Sequence, residues 1–425
     1  MSDELKDDGI NVQIESIFIQ SVNGRGFDAR SIYERIEIRE SLFSHAIHGS
    51  IDLEDENDNF ELVPIIGQET ITIKFEILDN IEVYSFRVYK ITNIENDNPR
   101  RSRYRLYFVT ADEMTNENVL VRQAYQDMKY SDMVKSIMSD YIQTNRKLYV
   151  EKTITKGTRV IPNIRPFKAI NQLAKNSVSA NDQSSNYIFF EARDGFFFVP
   201  ITSFVRAGEP KYEYRYEEVV DDLNQESIGA HTDPFRVMEL NVKKSSDFLD
   251  ALDAGMFGGK LQMVDLVRRK IDKLEFNYFD EFGQFDHINN HPLFIEGEPF
   301  SPNSNVTITY SDENSKEHDY VDDHSDLDNP FLDSELRVRR RIQMQFFKNF
   351  VIEMVVMGNY TLSLGDIIKL NVAAKYGYEE DRQHRLLAGN SVITSITHVF
   401  ARDKYLQHVE LAKDSVRNSM EDSVV

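Results

Sequence analysis

The chain has 425 residues, a length that at roughly 150 residues per domain corresponds to about three domains. Asp and Glu total 71 against 49 Lys and Arg, and the resulting net charge of −22 argues against a general nucleic-acid-binding protein, since phosphate contacts need positive surface. The sequence contains no cysteine, which excludes disulfides, thiol nucleophiles and Cys-ligated metal sites. It begins with an acidic stretch and contains no apolar run of about 18 residues, so we expect neither a signal peptide nor a membrane-spanning helix.

The first hundred residues have the alternating pattern of β-strands. In the clearest case Ile71, Ile73 and Phe75 alternate with polar residues, which gives a strand one buried face and one solvated face. Related patterns predict strands at residues 12–20, 32–38, 47–53, 69–78, 81–94 and 104–108. Polar turn sequences separate the strands at Asn23–Gly26, Asp55–Asn59 and Asn96–Pro99. About six strands joined by short polar turns favour a barrel or closed sheet.

Beyond about residue 112 the apolar residues take helical spacing. Ser131 is the predicted N-cap of one helix, and a second helix is predicted to begin near Pro166. Two aromatic runs, 187–190 and 196–199, then flank Asp194–Gly195, a dipeptide typical of a hairpin turn. Residues 113–205 are therefore predicted to form an α/β module of helices and a hairpin.

The remainder of the chain is again rich in predicted strands. These are short strands within 206–250, followed by Phe350–Val356, 391–400 and Lys404–Ala412. A helix capped by Ser334 is predicted at 334–348, an irregular insertion at 251–333, and a polar, disordered tail at 413–425. The fold class we expect is α+β and mostly β, with two β-rich regions around an α/β middle.

Four histidines are the candidates for a metal site. They are His287 and His291, four residues apart, and His318 and His324, which stand among acidic residues. We interpret both pairs as solvated loop residues, because the first pair lacks the Glu of the zincin motif and an acidic loop holds hard cations only loosely. The segment Asp55–Asn59 resembles a calcium loop, but Phe60 and Ile66 occupy the positions where Gly and a bidentate Glu are needed. We therefore assign no metal ligand.

The segment Gly24–Ala29 matches the G-x-G-x-x-A form of a dinucleotide-binding fingerprint. That motif needs a helix directly after it, whereas residues 32–38 alternate like a strand, and Asp28 would place a negative charge beside the phosphates. We interpret the segment as a turn that contains glycines, and we predict no cofactor.

The basic run Arg337–Arg341 is the one cationic cluster of note in the sequence. It could bind phosphate, but on an amphipathic helix of an acidic protein it favours a charged partner surface, with a solvated helix face as the alternative. The sequence contains neither a P-loop nor a G-x-S-x-G nucleophile elbow. We therefore predict an interaction protein rather than an enzyme, with no catalytic residues.

Three sequence patterns occur along the chain in an order that is typical of one protein family. The first leads from Ile38–Leu42 through Ile47–Leu53 to a G-x-E sequence and a long strand at Ile66–Ile73. The second combines Ile161-Pro162 with the helix after Pro166 and the aromatic hairpin. The third, Gly358–Asp366, has the pattern G-N-x-x-L-x-x-G, and the segment Gly255–Asp265 adds to it. Together they resemble the central baseplate hub proteins of contractile-tailed bacteriophages, a family related to the hub portion of type VI secretion spike proteins.

The resemblance implies a homotrimeric, non-enzymatic hub in which each chain supplies two tube-type β-barrel domains. The first would be residues 1–112, and the second would be discontinuous and combine 206–250 with 334–412. The α/β module 113–205 and the irregular insertion 251–333 would decorate the outside, ahead of the tail 413–425. The implied partners are the tail tube or tube-initiator protein, the central spike protein, the tape measure protein and the baseplate wedges. The implied location is the virion tail baseplate, assembled in the host cytoplasm, without membrane insertion by this chain.

The negative net charge of the chain is compatible with a ring whose channel conducts DNA. A lumen of the same sign as DNA lets the polyanion pass without specific binding. Two alternatives remain: the hub of a related injection machine, such as a tailocin or type VI component, and an acidic metal-dependent hydrolase. The sequence lacks the regular β-prism repeat of a fused type VI spike. For Gly358 and Gly365 we predict positive φ within a hairpin at 350–371.

Overall fold

The structure is a computed structural model that describes the chain between residues 12 and 418 with several gaps. The described residues are 12–56, 59–63, 65–77, 80–98, 101–182, 184–206, 208–216, 233–244, 249, 256–265, 269–284, 286–294, 306–311, 340–345, 347–348, 350–373, 383–402 and 404–418. Within these ranges the protein is mostly β, with a few short helices. None of the helices found there is long and apolar enough to cross a membrane.

The N-terminal region consists of strands that follow the alternation in the sequence. They are β1 (Val12–Gln20), β2 (Gly26–Asp28), β3 (Tyr33–Ser41), β4 (His48–Asp55), β5 (Thr70–Ile77), β6 (Asn80–Asn98) and β7 (Arg101–Thr110), with a short helix α1 (Asn59–Leu62). On β5 the side chains of Ile71, Ile73 and Phe75 are buried, as the alternation predicts. They belong to a core that lies between the strands of this region and also receives Phe400 from near the C-terminus.

The middle of the chain is a compact α/β module. Its elements are α2 (Ala111–Asn118), β8 (Val121–Lys129), α3 (Tyr130–Ile137) continued by a π-turn (Met138–Ile142), β9 (Leu148–Val150), β10 (Lys156–Ile164), α4 (Pro166–Lys175), β11 (Tyr187–Ala192), β12 (Gly195–Pro200) and α5 (Thr202–Val205). Pro166 occupies the first turn of α4, and β11 and β12 pair as a hairpin around Asp194–Gly195, so both predictions are confirmed. The predicted cap Ser131 is wrong, because Lys129 holds the N-cap position and Ser131 is buried inside the helix.

The C-terminal region contains further strands and several short elements. These are β13 (Tyr212–Tyr216), β14 (Val237–Lys244), β15 (Gly258–Asp265), β16 (Lys270–Asn277), α6 (Tyr278–Glu281) with a 3₁₀ turn (Phe282–Gln284), β17 (His291–Pro292), β18 (Val306–Ser311), β19 (Val351–Met357), β20 (Ile367–Val372), β21 (Gly389–Ala401), β22 (Lys404–Ala412) and β23 (Ser415–Val416). Residues 340–345 and 347–348 are helical, within the predicted helix 334–348, whereas the predicted cap Ser334 lies outside the described residues.

Three sequence-based predictions in this region are wrong. The segment 251–333, predicted as irregular, contains a sheet of β16, β15 and β18. The sequence predicts a disordered tail at 413–425, yet in its described part, 413–418, Lys413 is buried, its Nζ donates to the Leu386 carbonyl, and β23 pairs with β17; residues 419–425 lie outside the described residues. The hairpin predicted at 350–371 does not form, since β19 pairs with β14 and β22 while β20 pairs with β13 and β21.

The two β-rich regions share one large sheet. Among the described residues this sheet has 13 strands, and its main path runs β14-β19-β22-β21-β3-β4-β7-β6-β5-β1-β2. The seam between the regions is the antiparallel pair β3–β21, in which Arg35 lies opposite Ala401 and Ser41 opposite Ser395. The α/β module packs against this seam, because Ile188 and Phe190 of β11 join the C-terminal core.

Candidate assembly site

Of the four histidines considered as metal ligands, the structure describes only His287 and His291. His287 lies in a loop, but it is not solvated as predicted: its Nδ1 lies 2.7 Å from Asp414 Oδ2, and its ring stacks on Phe282. His291 lies in the short strand β17, whereas His318 and His324 lie outside the described residues. Across the described ranges, no three His, Asp or Glu side chains are grouped so that they could hold a metal ion.

The other short motifs have structural roles. Gly24 has φ +84° in the turn between β1 and β2, and β3 rather than a helix follows, so the interpretation as a turn is confirmed. Asp55 is buried and accepts a hydrogen bond from the Asn59 side chain at 3.0 Å. Of the basic run 337–341, only Arg340 and Arg341 are described.

The loop between β19 and β20 is fixed by side-chain contacts. The Asn359 backbone N–H donates to Gln407 Oε1 at 2.9 Å, and the Gln407 amide donates to the Asn359 carbonyl at 3.0 Å. The prediction of positive φ is confirmed for Gly365, at +84°, and wrong for Gly358. Gly358 is required for a different reason, because a Cβ there would overlap the Tyr405 ring.

A buried ion pair lies at the seam, where this loop, β3, β21 and the β11–β12 turn meet. The Glu40 carboxylate, on β3, accepts hydrogen bonds from the Arg193 backbone N–H at 3.0 Å and from Arg193 Nε at 3.2 Å. The Arg193 guanidinium also donates to the carbonyls of Tyr360 (2.6 Å) and Leu362, and it lies 4.2 Å from the centre of the Tyr360 ring. One arginine therefore connects the α/β module to both β-rich regions.

His398 completes this buried cluster from β21. Its Nε2 lies 3.3 Å from Glu40 Oε1 and its Nδ1 lies 2.7 Å from the Tyr405 hydroxyl. Burial lowers the pKa of His398, so the ring is neutral near pH 7. Because the ionised Glu40 carboxylate can only accept a hydrogen bond, the ring proton is on Nε2, and Nδ1 accepts from the Tyr405 hydroxyl. Burial alone would raise the pKa of Glu40, but the charge of Arg193 and the bond from His398 outweigh it and lower that pKa.

A second buried carboxylate joins the α/β module to the N-terminal region. Glu191, on β11, is fully buried and accepts from the Thr110 hydroxyl at 2.7 Å and from the Ile47 backbone N–H at 2.9 Å. It also pairs with Arg146. Burial raises the pKa of Glu191 to about 7 even though Arg146, Thr110 and Ile47 act in the opposite direction.

None of these junction residues was singled out from the sequence, although the strand alternation contains a signal for them. Glu40 continues the inward-facing series Ile36, Ile38, and His398 stands between Ile396 and Phe400 on one face of β21. A charged or polar residue in an inward position needs a buried partner. The partner itself, Arg193, comes from a distant turn and has no such signal.

The outermost strands of the large sheet are the second candidate for assembly contacts. Within the described part of the chain, the strand β14 pairs only with β19, and β2 pairs only with β1. On β14 the side chains of Met238 and Val242 are 48% and 43% exposed. An unpaired edge with exposed apolar side chains is a template for pairing with another chain.

Comparison with known proteins identifies the fold. No family model and no curated protein matches the sequence. Among solved structures, the tail protein from Neisseria meningitidis MC58 aligns with a TM-score of 0.56 at 8% identity, over 94% of this chain and 96% of that chain. The 43 kDa tail protein of prophage MuSo2 from Shewanella oneidensis aligns with a TM-score of 0.54 at 10% identity, over 94% and 98%. The chain thus has the fold of these tail proteins over nearly its whole length. The resemblance predicted from the sequence is therefore confirmed as a resemblance of fold.

Proposed function

We propose that this chain is the structural hub of a phage tail baseplate, in which three copies form a ring that joins the six-fold tail tube to the three-fold central spike. The observation that carries the proposal is the likeness to two tail proteins, which extends over nearly the full length of all three chains. A fold shared from end to end supports a shared structural role better than a single common domain would.

The two β-rich regions are, in this proposal, two tube-type β-barrel domains. Residues 1–112 form the first, and residues 206–250 with 334–412 form the second, while 113–205 and 251–333 lie outside the ring. The seam β3–β21 supports this division, because it connects the two regions side by side through regular antiparallel pairing. Three chains with two such domains each supply six similar units, which matches a six-fold partner on one side and a three-fold partner on the other.

Neighbouring copies meet, in the proposed ring, at the two ends of the large sheet. One end is β14 and the other is β2. Contact between them would cover Met238 and Val242 and would remove the exposed edges, which is a common reason for sheet closure in assemblies. The closed ring would enclose a channel in a protein of net charge −22, and that charge favours passage of DNA without binding.

The proposed role is non-enzymatic and requires no cofactor. The proposed partners are the tail tube or tube-initiator protein, the central spike protein, the tape measure protein and the baseplate wedges, and the proposed location is the virion tail, assembled in the host cytoplasm. Electron microscopy of isolated baseplates is expected to place three copies on the tail axis. Six copies, or a peripheral position such as a wedge or fibre attachment, would refute the assignment.

A variant of the β14 edge tests the ring contact. We expect Met238→Asp with Val242→Asp to prevent ring formation at concentrations where the wild-type chain, alone or with its spike partner, forms trimers in analytical ultracentrifugation. The control is Ile271→Asp, which adds a carboxylate at a side chain 60% exposed on the separate sheet of β15, β16 and β18. Trimers of unchanged stability in the β14 variant would contradict the proposed contact.

A further inference from the structure

A groove lined by several cationic side chains lies between the α/β module and the helical residues 340–345 and 347–348. It has a volume of about 640 Å³ and is lined by β10, by the C-terminal end of α4 and by that helical segment. Its cationic lining residues are Arg159, Lys175, Arg340, Arg341 and Lys348. No Asp or Glu is among the described residues that line it, although acidic residues outnumber basic ones by 71 to 49 in the chain.

Three cations of this groove contact neutral groups. Arg340 donates to the Ser185 carbonyl at 2.9 Å, Lys348 lies 5.1 Å from the centre of the Phe43 ring, and Arg159 donates to the Tyr130 hydroxyl at 2.5 Å. On Arg341 the buried atoms Nε and Nη2 have no hydrogen-bond partner among the described residues. Other cations of the same module have carboxylate partners, such as Lys135 with Asp132 and Arg165 with Glu117.

This arrangement costs free energy that an anion would restore. Burial lowers the pKa of Arg340 to about 10 and also lowers the pKa of Arg341. The pKa of Lys348 is lowered by burial and then by the like charges of Arg340 and Lys244. Like charges held together with few counter-ions favour a ligand that brings negative charge, and guanidinium groups match carboxylates in geometry.

We propose that this groove binds an acidic peptide segment of a partner protein, one that combines carboxylates with apolar side chains. The carboxylates would pair with Arg341, Lys348 and Lys175. The apolar side chains would cover Val160, which is 69% exposed, and Met344. A carboxylate-rich peptide fits better than DNA for two reasons. An acidic protein repels a long polyanion, and a phosphodiester backbone has no apolar side chains that could pack against the apolar residues of the groove.

The test is a binding measurement on the purified full chain at about 50 mM salt. The probe is a labelled synthetic peptide of about twelve residues in which leucines separate groups of glutamates, and fluorescence anisotropy reports binding. We expect this peptide to bind, a matched peptide with Gln for Glu to bind at least about tenfold more weakly, and Arg341→Gln with Lys348→Gln to weaken binding by about tenfold or more. The charge-matched control, Arg25→Gln with Lys129→Gln, should bind like wild type, since both residues are exposed and neither lines the groove.

A thermal melt of each variant separates lost binding from lost folding. Because the groove variant removes charges that repel one another, it should melt at or above the wild-type temperature while losing the peptide. If it unfolds, Lys348→Gln alone is the second variant, with a smaller but measurable loss of binding expected. Absence of binding to the wild-type chain, equal binding of the Gln peptide, or equal losses in the control would overturn the proposal. Tighter binding of a short DNA duplex, lost in the groove variant, would also overturn it in favour of a nucleic-acid site.

Discussion

Replacement of Glu191 by Gln is the most direct test of the junction between the α/β module and the N-terminal region. The carboxylate is fully buried in β11, and its partners Thr110 and Ile47 belong to the other side of the junction. Burial raises its pKa from 4.5 to about 7. A group that is ionised in the unfolded chain must therefore take up a proton, or be buried as an anion beside Arg146, when the protein folds.

The direction of the pH effect follows from the raised pKa. The folded state binds the Glu191 proton more tightly than the unfolded state, so the stability linked to this group is fully present below pH 4.5 and is lost as the pH rises through about 7. A difference of about 2.5 pH units corresponds to about 3 kcal/mol. Glu191→Gln imitates the protonated carboxyl at every pH. We expect the free energy of unfolding of the variant, relative to wild type, to rise by up to about 3 kcal/mol across this window.

The assay is urea unfolding followed by far-ultraviolet circular dichroism at several pH values between about 5 and 8, for both proteins. Other titrating groups, including His398 and Glu40, are common to both and largely cancel in the difference. The control is Glu117→Gln, which alters a carboxylate that is 41% exposed and paired with Arg165 at the surface. It should change stability by less than about 1 kcal/mol, because the ion pair is exposed. If the difference in free energy of unfolding between Glu191→Gln and wild type stayed constant with pH, the conclusion that folding raises the pKa of Glu191 would be refuted.

Two further substitutions test the seam. Gly358→Ala should lower the free energy of unfolding by more than about 2 kcal/mol in urea titrations, because the new Cβ would overlap the Tyr405 ring. The control, Gly24→Ala, has open space around it and should cost only about 1 kcal/mol, because Gly24 has positive φ. Equal costs of the two substitutions would contradict the steric argument. Arg193→Met should lower the free energy of unfolding by about 3–5 kcal/mol at pH 7, because it leaves the buried carboxylate of Glu40 without its cation. In a double-mutant cycle, the addition of Glu40→Gln should restore part of that stability. No recovery would show that the cost is not electrostatic.

The local part of the fold could be predicted from the sequence and the long-range part could not. The strands from β1 to β7 follow apolar alternation, and the hairpin at Asp194–Gly195 follows turn chemistry, both of which act between near neighbours. The pairing of β3 with β21 joins residues more than three hundred positions apart, and no local pattern specifies it. The same limitation explains why disorder was wrongly predicted at Lys413. This polar residue is buried, and its Nζ donates to the carbonyl of Leu386, which belongs to another loop.

The use of charged residues at the seam has a consequence for assembly. Apolar side chains tolerate many docking angles, whereas the Glu40 carboxylate is satisfied only when Arg193 reaches it in the observed geometry. A misdocked module would leave a buried charge unpaired, at a cost of several kcal/mol. The ion pair, together with the bonds from Arg193 to the Tyr360 and Leu362 carbonyls, therefore restricts the angle between the two β-rich regions. In the proposed ring that angle occurs once in every chain, and an error in each of three copies would accumulate until the ring failed to close. A precisely held seam is thus what a closed ring of this chain requires, even though a buried ion pair contributes little net stability.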